Sequence, residues 1–224
     1  MGEKMKKMQQ MVIALSLIVV GVAGRIFLRN FLPNTPHIYV TLNGVTQPVF
    51  MMDMFFVVAA ISFFSGILLR GYYSFVVPLS VMLITDLYYG NTYIFLFTWS
   101  GFAFIALIGY ISKKGLSFNS KSVIKIAGMS IGSVLLYDAW TNFGCWLGWY
   151  PHSLNGLATC FVLALPFALW HLVSATSLIT AISIPLLYLK EKLPELHTDI
   201  KLKETYVAMA ASFFLASVSI MAIL

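Results

Sequence analysis

The sequence predicts an all-α, polytopic membrane protein, and its composition and the length of its apolar runs lead to this fold class. Of the 224 residues, 60% are hydrophobic and 10% are charged, and the mean hydropathy is +0.89. Soluble domains carry about 25% charged residues. Several apolar runs reach the roughly 20 residues that a helix needs to cross a bilayer. Because the runs are continuous rather than alternating, they favour helices over the strands of a membrane β-barrel.

The placement of the positive charge predicts the orientation of the chain. The formal net charge is +6. Basic residues precede the first apolar run and fill three later gaps, whereas the gaps between these contain no lysine; they are Lys4, Lys6, Lys7, Arg70, Lys113, Lys114, Lys121, Lys125, Lys190, Lys192, Lys201 and Lys203. This alternation is the positive-inside pattern, so we expect a multi-pass plasma-membrane protein with a cytoplasmic N-terminus. No basic run has the interleaved aromatic residues of a nucleic-acid binder.

The first span is expected at residues 11–31 as an uncleaved helix. A secretory signal with small residues near Gly24 is the alternative, but the apolar run continues past Arg25. In the outer loop that follows, Asn43-Gly44 lies between β-branched and aromatic residues, which predicts a β-hairpin. This hairpin is either a lid over the outer mouth or an ordinary ordered loop.

The next spans follow one another at short intervals; they are expected at residues 50–69, 72–89, 92–112 and 122–147. The apolar run 156–189 is too long for one straight crossing, so we expect a tilted or broken helix with its break at Pro166. The plan is therefore a six-helix core in residues 1–189, a charged cytoplasmic connector at 190–204, and one appended C-terminal transmembrane helix at 205–224.

All three acids within the spans fall in the outer halves of their helices: Asp53, Asp86 and Asp138. Arg25 and Arg29 fall there too. An arginine inside a span costs roughly 2.5–3.5 kcal/mol, so we expect Arg25 to pair with an acid inside the bundle and Arg29 to reach the interface. The result is a polar, aromatic-lined bowl that opens outward.

Polar and aromatic residues of this bowl are the predicted binding residues; they are Arg25, Asp86, Asn91, Trp99, Asp138, Asn142, Trp146, Tyr150, His152 and Trp170. Arg25 with an acid is either a structural ion pair or a ligand contact. Asn142 either bonds within its own helix end or reaches a neighbouring helix. Trp140 and Trp149 fit an interfacial belt, and His171 fits a hydrogen-bonded core histidine better than a ligand contact.

Enzyme motifs are absent from the sequence. It contains no HExxH, GxSxG, P-loop, CxxC or dinucleotide-binding glycine pattern, and its four histidines show no metal-ligand spacing. We therefore expect no catalytic residue, no metal and no cofactor, and any energy coupling must come from a partner. Cys145 and Cys160 are either bridged across the outer turn or, more simply, two free buried thiols.

Two blocks of residues carry a resemblance to a known family. One is Pro78-xxx-Met82-xxx-Asp86-xxx-Gly90; the other is Asn142-Phe143-Gly144-x-Trp146-xxx-Tyr150-Pro151 followed by Gly156-Leu157-xx-Cys160. Over residues 20–185 the chain resembles an uncharacterised family of integral membrane proteins related to the substrate-binding S components of energy-coupling factor (ECF) vitamin transporters.

The resemblance implies six helices, cytoplasmic core termini and a pocket near the outer surface, closed by the loops after helices one, three and five. S components work with a transmembrane coupling subunit and two ATPases, and they take up vitamins or transition-metal ions. This chain departs from them because its first helix has no Ala-xxx-Ala face and because a seventh helix is expected.

The leading functional hypothesis is a substrate-capture subunit that binds a small solute, such as a vitamin or vitamin precursor, for uptake. The partners would then be membrane lipid, the solute and an ECF coupling subunit with its ATPases. The alternative is a structural subunit of a larger membrane complex, which the small-residue face of the last helix at Ala208, Ser212 and Ala216 would suit.

Overall fold

The computed structural model describes residues 2–32, 38–48, 52–90 and 92–192. This part of the chain forms six α-helices and one two-stranded ribbon. The elements are α1 (Gly2–Phe27), β1 (Tyr39–Leu42), β2 (Val45–Pro48), α2 (Phe55–Leu68), α3 (Tyr73–Tyr89), α4 (Phe95–Ser112), α5 (Ser120–Trp149) and α6 (Leu154–Lys192). A short 3-10 turn, Leu28–Phe31, extends α1. The predicted seventh helix at 205–224 lies outside the described residues.

Four of these helical segments are long and apolar enough to cross a membrane; they are Lys7–Phe31, Phe95–Ser112, Ser120–Trp149 and Leu154–Leu189. The predicted membrane protein is thereby confirmed at this level. The second and third predicted spans are helical too, but α2 has 14 residues and α3 has 17. At 1.5 Å per residue, α2 is about 21 Å long, which is shorter than the roughly 30 Å hydrocarbon core of a bilayer.

The sixth helix runs without interruption from Leu154 to Lys192 and contains both Pro166 and Pro185. The predicted break at Pro166 is therefore wrong, and the simpler expectation of one long helix holds. Membrane helices tolerate proline because neighbouring groups and small local adjustments satisfy the backbone carbonyl that proline leaves free.

The ribbon is the hairpin that Asn43-Gly44 predicts. Leu42 pairs with Val45 in antiparallel register, and the two residues between them both have positive φ, 50° at Asn43 and 80° at Gly44. This is the backbone of a type I′ turn, which Asn-Gly adopts at little cost. We call the end of the bundle that carries this ribbon the hairpin end.

Helix α2 is the centre of the bundle. Nearly every residue of it is buried, and it contacts α1, α3, α4 and α6. Its approach to α4 depends on two glycines: a Cβ on Gly66 would lie 2.1 Å from the Ala106 carbonyl oxygen, and one on Gly109 would lie 2.1 Å from the Phe63 carbonyl oxygen. Such small residues let membrane helices pack closely. The central position places the start of α2, at Asp53 to Phe55, in the middle of the hairpin end.

Candidate functional site

A cavity of about 410 Å³ opens at the hairpin end. Among the described residues, two arginines and two aspartates line it, Arg25, Arg29, Asp53 and Asp86. The rings of Phe55, Tyr89, Phe102 and Tyr137 line it as well. Its volume lies within the range of about 300–1,000 Å³ that is typical of small-molecule sites. Residues of α1 to α5, of the segment before α2 and of the segment before α4 thus enclose one polar, ring-lined space.

One side of the cavity is formed by an ion pair between α1 and α3. Arg25 Nη1 lies 2.9 Å from Asp86 Oδ1, and Trp99 Nε1 donates to Asp86 Oδ2 at 2.7 Å. Arg25 also donates to Thr85 Oγ1. The predicted pairing of Arg25 with an acid inside the bundle is confirmed. Because the protein itself occupies both carboxylate oxygens, this pair ties α1, α3 and α4 together.

The floor of the hairpin end holds a second polar group, which we call the Asp–His–Asp cluster: Asp53, His171 and Asp138. His171 Nδ1 lies 2.6 Å from Asp138 Oδ1, and His171 Nε2 lies 3.2 Å from Asp53 Oδ2. His171 is 7% exposed, and the Phe55 ring stacks on it at 4.0 Å. The prediction of a hydrogen-bonded core histidine at this position is confirmed.

Both ring nitrogens of His171 face carboxylate oxygens. A neutral ring has one N–H donor and one acceptor nitrogen, whereas a protonated ring donates from both nitrogens. With either form of the ring, two carboxylates flank one imidazole, so the Asp–His–Asp cluster carries net negative charge.

Asp53 connects this cluster with the cavity. Its side chain is 46% exposed, whereas that of Asp138 is 8% exposed. Asp53 Oδ1 accepts the backbone N–H of Phe55 at 3.1 Å, at the start of α2, and its carbonyl accepts from Trp170 Nε1 at 3.2 Å. Asp53 is absent from the predicted binding residues, although its position as an acid inside an apolar run was the signal for it.

The hairpin is docked on the turn between α5 and α6. Asn43 Nδ2 donates to Thr159 Oγ1 at 2.7 Å and to Asn155 Oδ1 at 3.2 Å. Gln47 Nε2 donates to the Tyr150 hydroxyl at 3.2 Å. Leu42 and Val45 pack against Tyr150, Cys160 and Leu163 in a small apolar cluster. Burial raises the pKa of Tyr150, with the bond from Gln47 acting in the opposite direction, so its hydroxyl stays neutral.

Two of the predicted binding residues hold the same turn. Trp146 Nε1 donates to the Pro151 carbonyl at 3.0 Å, and His152 Nε2 lies 2.7 Å from the Leu147 carbonyl oxygen, so both bonds join the end of α5 to the turn that follows it. A third, Asn142, donates to the Asp138 carbonyl at 2.7 Å, within its own helix. None of these side chains is among the described residues that line the cavity.

The other predicted binding residues divide by their distance from the cavity. Arg25 and Asp86 line it, and Trp99 and Trp170 bond to residues that line it. Asp138 is one step further away, because it bonds to His171, which in turn bonds to Asp53. Asn91 lies outside the described residues. Residues that line the cavity but were not among the predicted binding residues include Arg29, Tyr89 and Tyr137.

The two tryptophans expected in an interfacial belt differ from each other. Trp149 is 56% exposed and touches the Tyr93 ring at 4.8 Å, which fits a belt. Trp140 instead donates to Ser100 Oγ at 2.8 Å and stacks near Phe97 at 4.8 Å, so it joins α5 to α4.

The two cysteines are free thiols, Cys160 buried and Cys145 partly buried, which is the simpler of the two expectations. Within the part of the chain that the structure describes, no group of three or more histidine, cysteine or acidic residues is placed to hold a metal ion.

Comparison with known proteins gives one match. No protein of curated function and no solved structure matches the chain. The resemblance to ECF S components therefore stays a prediction. Residues 5–197 match the model of a family of unknown function, DUF6580, and the chain belongs to that family.

Proposed function

We propose that the protein captures a small solute in the cavity at its hairpin end and passes it to partner proteins for uptake across the membrane. The observation that carries the proposal is the cavity itself: about 410 Å³ of space, lined by charged and aromatic side chains, at one end of a membrane helix bundle. A polar space of this size at the end of an apolar bundle costs folding free energy, and a bound solute would offset that cost.

The surroundings of the cavity support this proposal. Leu32 and Met52, which flank the segment containing the hairpin, both line the cavity. The hairpin itself is docked on the α5–α6 turn at the same end of the bundle. In the proposed orientation the hairpin end faces outward, all six helices cross the membrane, and the lysine-rich gaps face the cytoplasm, as the positive-inside pattern favours.

In this proposal the protein is an S-component-like subunit, and the solute is a vitamin or a vitamin precursor. Among the described residues no helix carries a nucleotide-binding loop, so the energy for release into the cell would come from a coupling subunit with ATPases.

Binding to the purified protein in lipid nanodiscs tests the proposal. A panel of vitamins and their precursors is titrated while heat release and thermal stabilisation are measured. We expect at least one member to bind, and Tyr137→Leu to weaken that binding about tenfold or more, because a lining ring is lost. Trp149→Phe is the control, since this exposed ring lies away from the cavity. Binding that both variants leave unchanged would place the solute elsewhere, and no binding at all would overturn the proposal.

A further inference from the structure

The charges that line the cavity point to a class of solute. Resting on the proposed function, we infer that the solute is a small zwitterion that also carries a flat apolar body, and that its cationic group binds at Asp53 and its anionic group at Arg29.

The charges of Arg25 and Asp86 cancel one another. Their 2.9 Å ion pair leaves no net charge, and the Asp86 carboxylate also accepts the Trp99 indole N–H on its second oxygen. Arg25 is further engaged by Thr85 and by Met82 Sδ at 3.3 Å. A solute that used this pair would have to displace bonds already made inside the protein. Among the described residues of the lining, the remaining charges are those of Asp53 and Arg29.

Asp53 is the negative pole. The Asp–His–Asp cluster carries net negative charge because two carboxylates flank one imidazole, and of these carboxylates only that of Asp53 is among the described residues that line the cavity. The half-exposed Asp53 side chain has room for another donor besides His171 and the Phe55 N–H. An ammonium or amidinium group meets this carboxylate with a charge-assisted hydrogen bond, which is stronger than a neutral one.

Arg29 is the positive pole. It lines the cavity, and its guanidinium lies 4.9 Å from the centre of the Tyr89 ring. It forms no ion pair with any residue that the structure describes. A guanidinium held on a ring in this way presents its N–H groups to a planar carboxylate or to a phosphate. A solute with only one charge would satisfy one pole and leave the other without a partner.

The aromatic part of the cavity lining suits a flat, apolar body. The rings of Phe55, Phe102 and Tyr137 line it and pack on one another, with centroids 4.7 Å apart for Phe55 and Tyr137 and 5.7 Å apart for Phe55 and Phe102. Stacked rings of this kind favour another planar ring at offset or edge-on geometry. The volume lies towards the low end of the small-molecule range, which limits the body to about one or two rings.

Three probes with the same phenyl ring separate the poles: L-phenylalanine carries both charges, phenethylamine only the positive one, and phenylpropionate only the negative one. In nanodiscs we expect L-phenylalanine to bind about tenfold more tightly than either single-charge probe. Asp53→Asn should remove its advantage over phenylpropionate, and Arg29→Gln should remove its advantage over phenethylamine. Because Arg29 is exposed, Arg29→Gln tests the inference even if Asp53→Asn folds poorly.

The same assay distinguishes the inference from the proposed function. Equal binding of the three probes, or no binding of any of them while a vitamin binds independently of Asp53 and Arg29, overturns the zwitterion and leaves solute capture standing. Failure of every probe and every vitamin overturns both.

A zwitterionic lipid headgroup has the same two charges, so the titration is repeated with phosphatidylglycerol alone and with added phosphatidylethanolamine. If added phosphatidylethanolamine abolishes probe binding, the cavity holds a lipid and the inference of a soluble solute is wrong.

Discussion

Arg25 shows which features of a single residue the sequence can predict. A guanidinium inside a span is costly without a partner, so an acidic partner was predictable. The identity of that partner was not, because Asp53, Asp86 and Asp138 all lie at similar depth in their helices. In the structure Arg25 pairs with Asp86 on α3, and the other two carboxylates contact His171. Hydropathy reports depth along a helix, whereas the choice of partner depends on which helices are neighbours.

We expect Arg25→Met to lower the free energy of unfolding by about 3 kcal/mol. This is the low end of the range for breaking a buried ion pair, since the Arg25 side chain is 23% exposed and water compensates in part. The measurement is thermal or denaturant unfolding in detergent. Arg29→Met is the control, because Arg29 forms no ion pair with a described residue and should change stability little. Equal losses in the two variants would contradict the structural role of the pair.

The Asp–His–Asp cluster gives a second expectation at this scale. His171→Leu leaves two carboxylates without the group that bridges them, so we expect a loss of about 3–5 kcal/mol, as for a buried charge deprived of its partner. Asp138→Leu in the same chain should restore part of it, because the buried carboxylate is then gone as well. Unfolding of the single and double variants measures this coupling. Independent, additive losses would show that His171 and Asp138 do not act as a unit.

Among the elements, glycines show the limit of spacing patterns. Ala59, Ser62, Ser65 and Gly66 give α2 a set of small residues that suits close packing, and Gly66 does meet α4 there. Gly128 and Gly132 on α5 have an equally suggestive spacing, but a Cβ on either would meet no described atom within 4 Å. A pattern of small residues shows where a second helix could pack closely. It does not show whether a second helix lies there.

Gly66→Ala and Gly128→Ala form a matched pair that tests the contact between α2 and α4. Both glycines lie inside helices, where alanine gains up to about 1 kcal/mol of helix propensity. We expect Gly128→Ala to be neutral or stabilising and Gly66→Ala to destabilise by about 1–3 kcal/mol, since its methyl group would meet backbone rather than a flexible side chain. The comparison is made by unfolding in the same detergent. A stabilised Gly66→Ala would contradict the close approach of the two helices.

The hairpin was predictable as an element, but its docking was not. Asn-Gly fixes the turn locally, whereas the contacts with Thr159 and Tyr150 join residues more than a hundred positions apart. We expect Asn43→Ala to free the ribbon, because it removes both hydrogen bonds to α6 and places a less suitable residue at positive φ. Hydrogen exchange of residues 39–48 should then be about tenfold faster.

Thr46→Ala is the control for the ribbon. It removes only the exposed bond between Thr41 and Thr46, which does not reach α6. Unchanged exchange in Asn43→Ala would show that apolar packing of Leu42 and Val45 alone holds the hairpin.

For the whole molecule, hydropathy and charge predict the order and approximate bounds of the six helices. They place six of the ten predicted binding residues on α5, α6 and the turn between them, whereas residues of α1 to α5 line the cavity. The difference arises because the hairpin occupies the α5–α6 turn, and Trp146, Tyr150 and His152 hold that turn together. The hairpin and the α5–α6 turn are more than a hundred positions apart in the chain, and a contact of that kind leaves no periodic pattern in the sequence. The sequence could therefore not show which side of the hairpin end stays open.

The orientation of the bundle is testable by labelling single cysteines in intact cells. In a background with Cys145→Ala and Cys160→Ala, we expect Thr41→Cys on the hairpin to react with a membrane-impermeant thiol reagent. Lys121→Cys, at the start of α5, should react only after the membrane is permeabilised. Both positions are exposed, so accessibility depends on the side of the membrane. The reverse result would invert the proposed topology.

The uninterrupted α6 has a mechanical consequence. With 39 residues it is about 58 Å long, nearly twice the hydrocarbon thickness of a bilayer. It therefore tilts steeply, projects beyond the membrane, or does both. It bears the hairpin near one end, at Thr159, and the cluster near its middle, at His171, and its other end, at Lys192, would stand clear of the lipid. Because α6 is one continuous helix, a change in its angle at the cavity would displace its other end. A partner protein bound at that end would move with it.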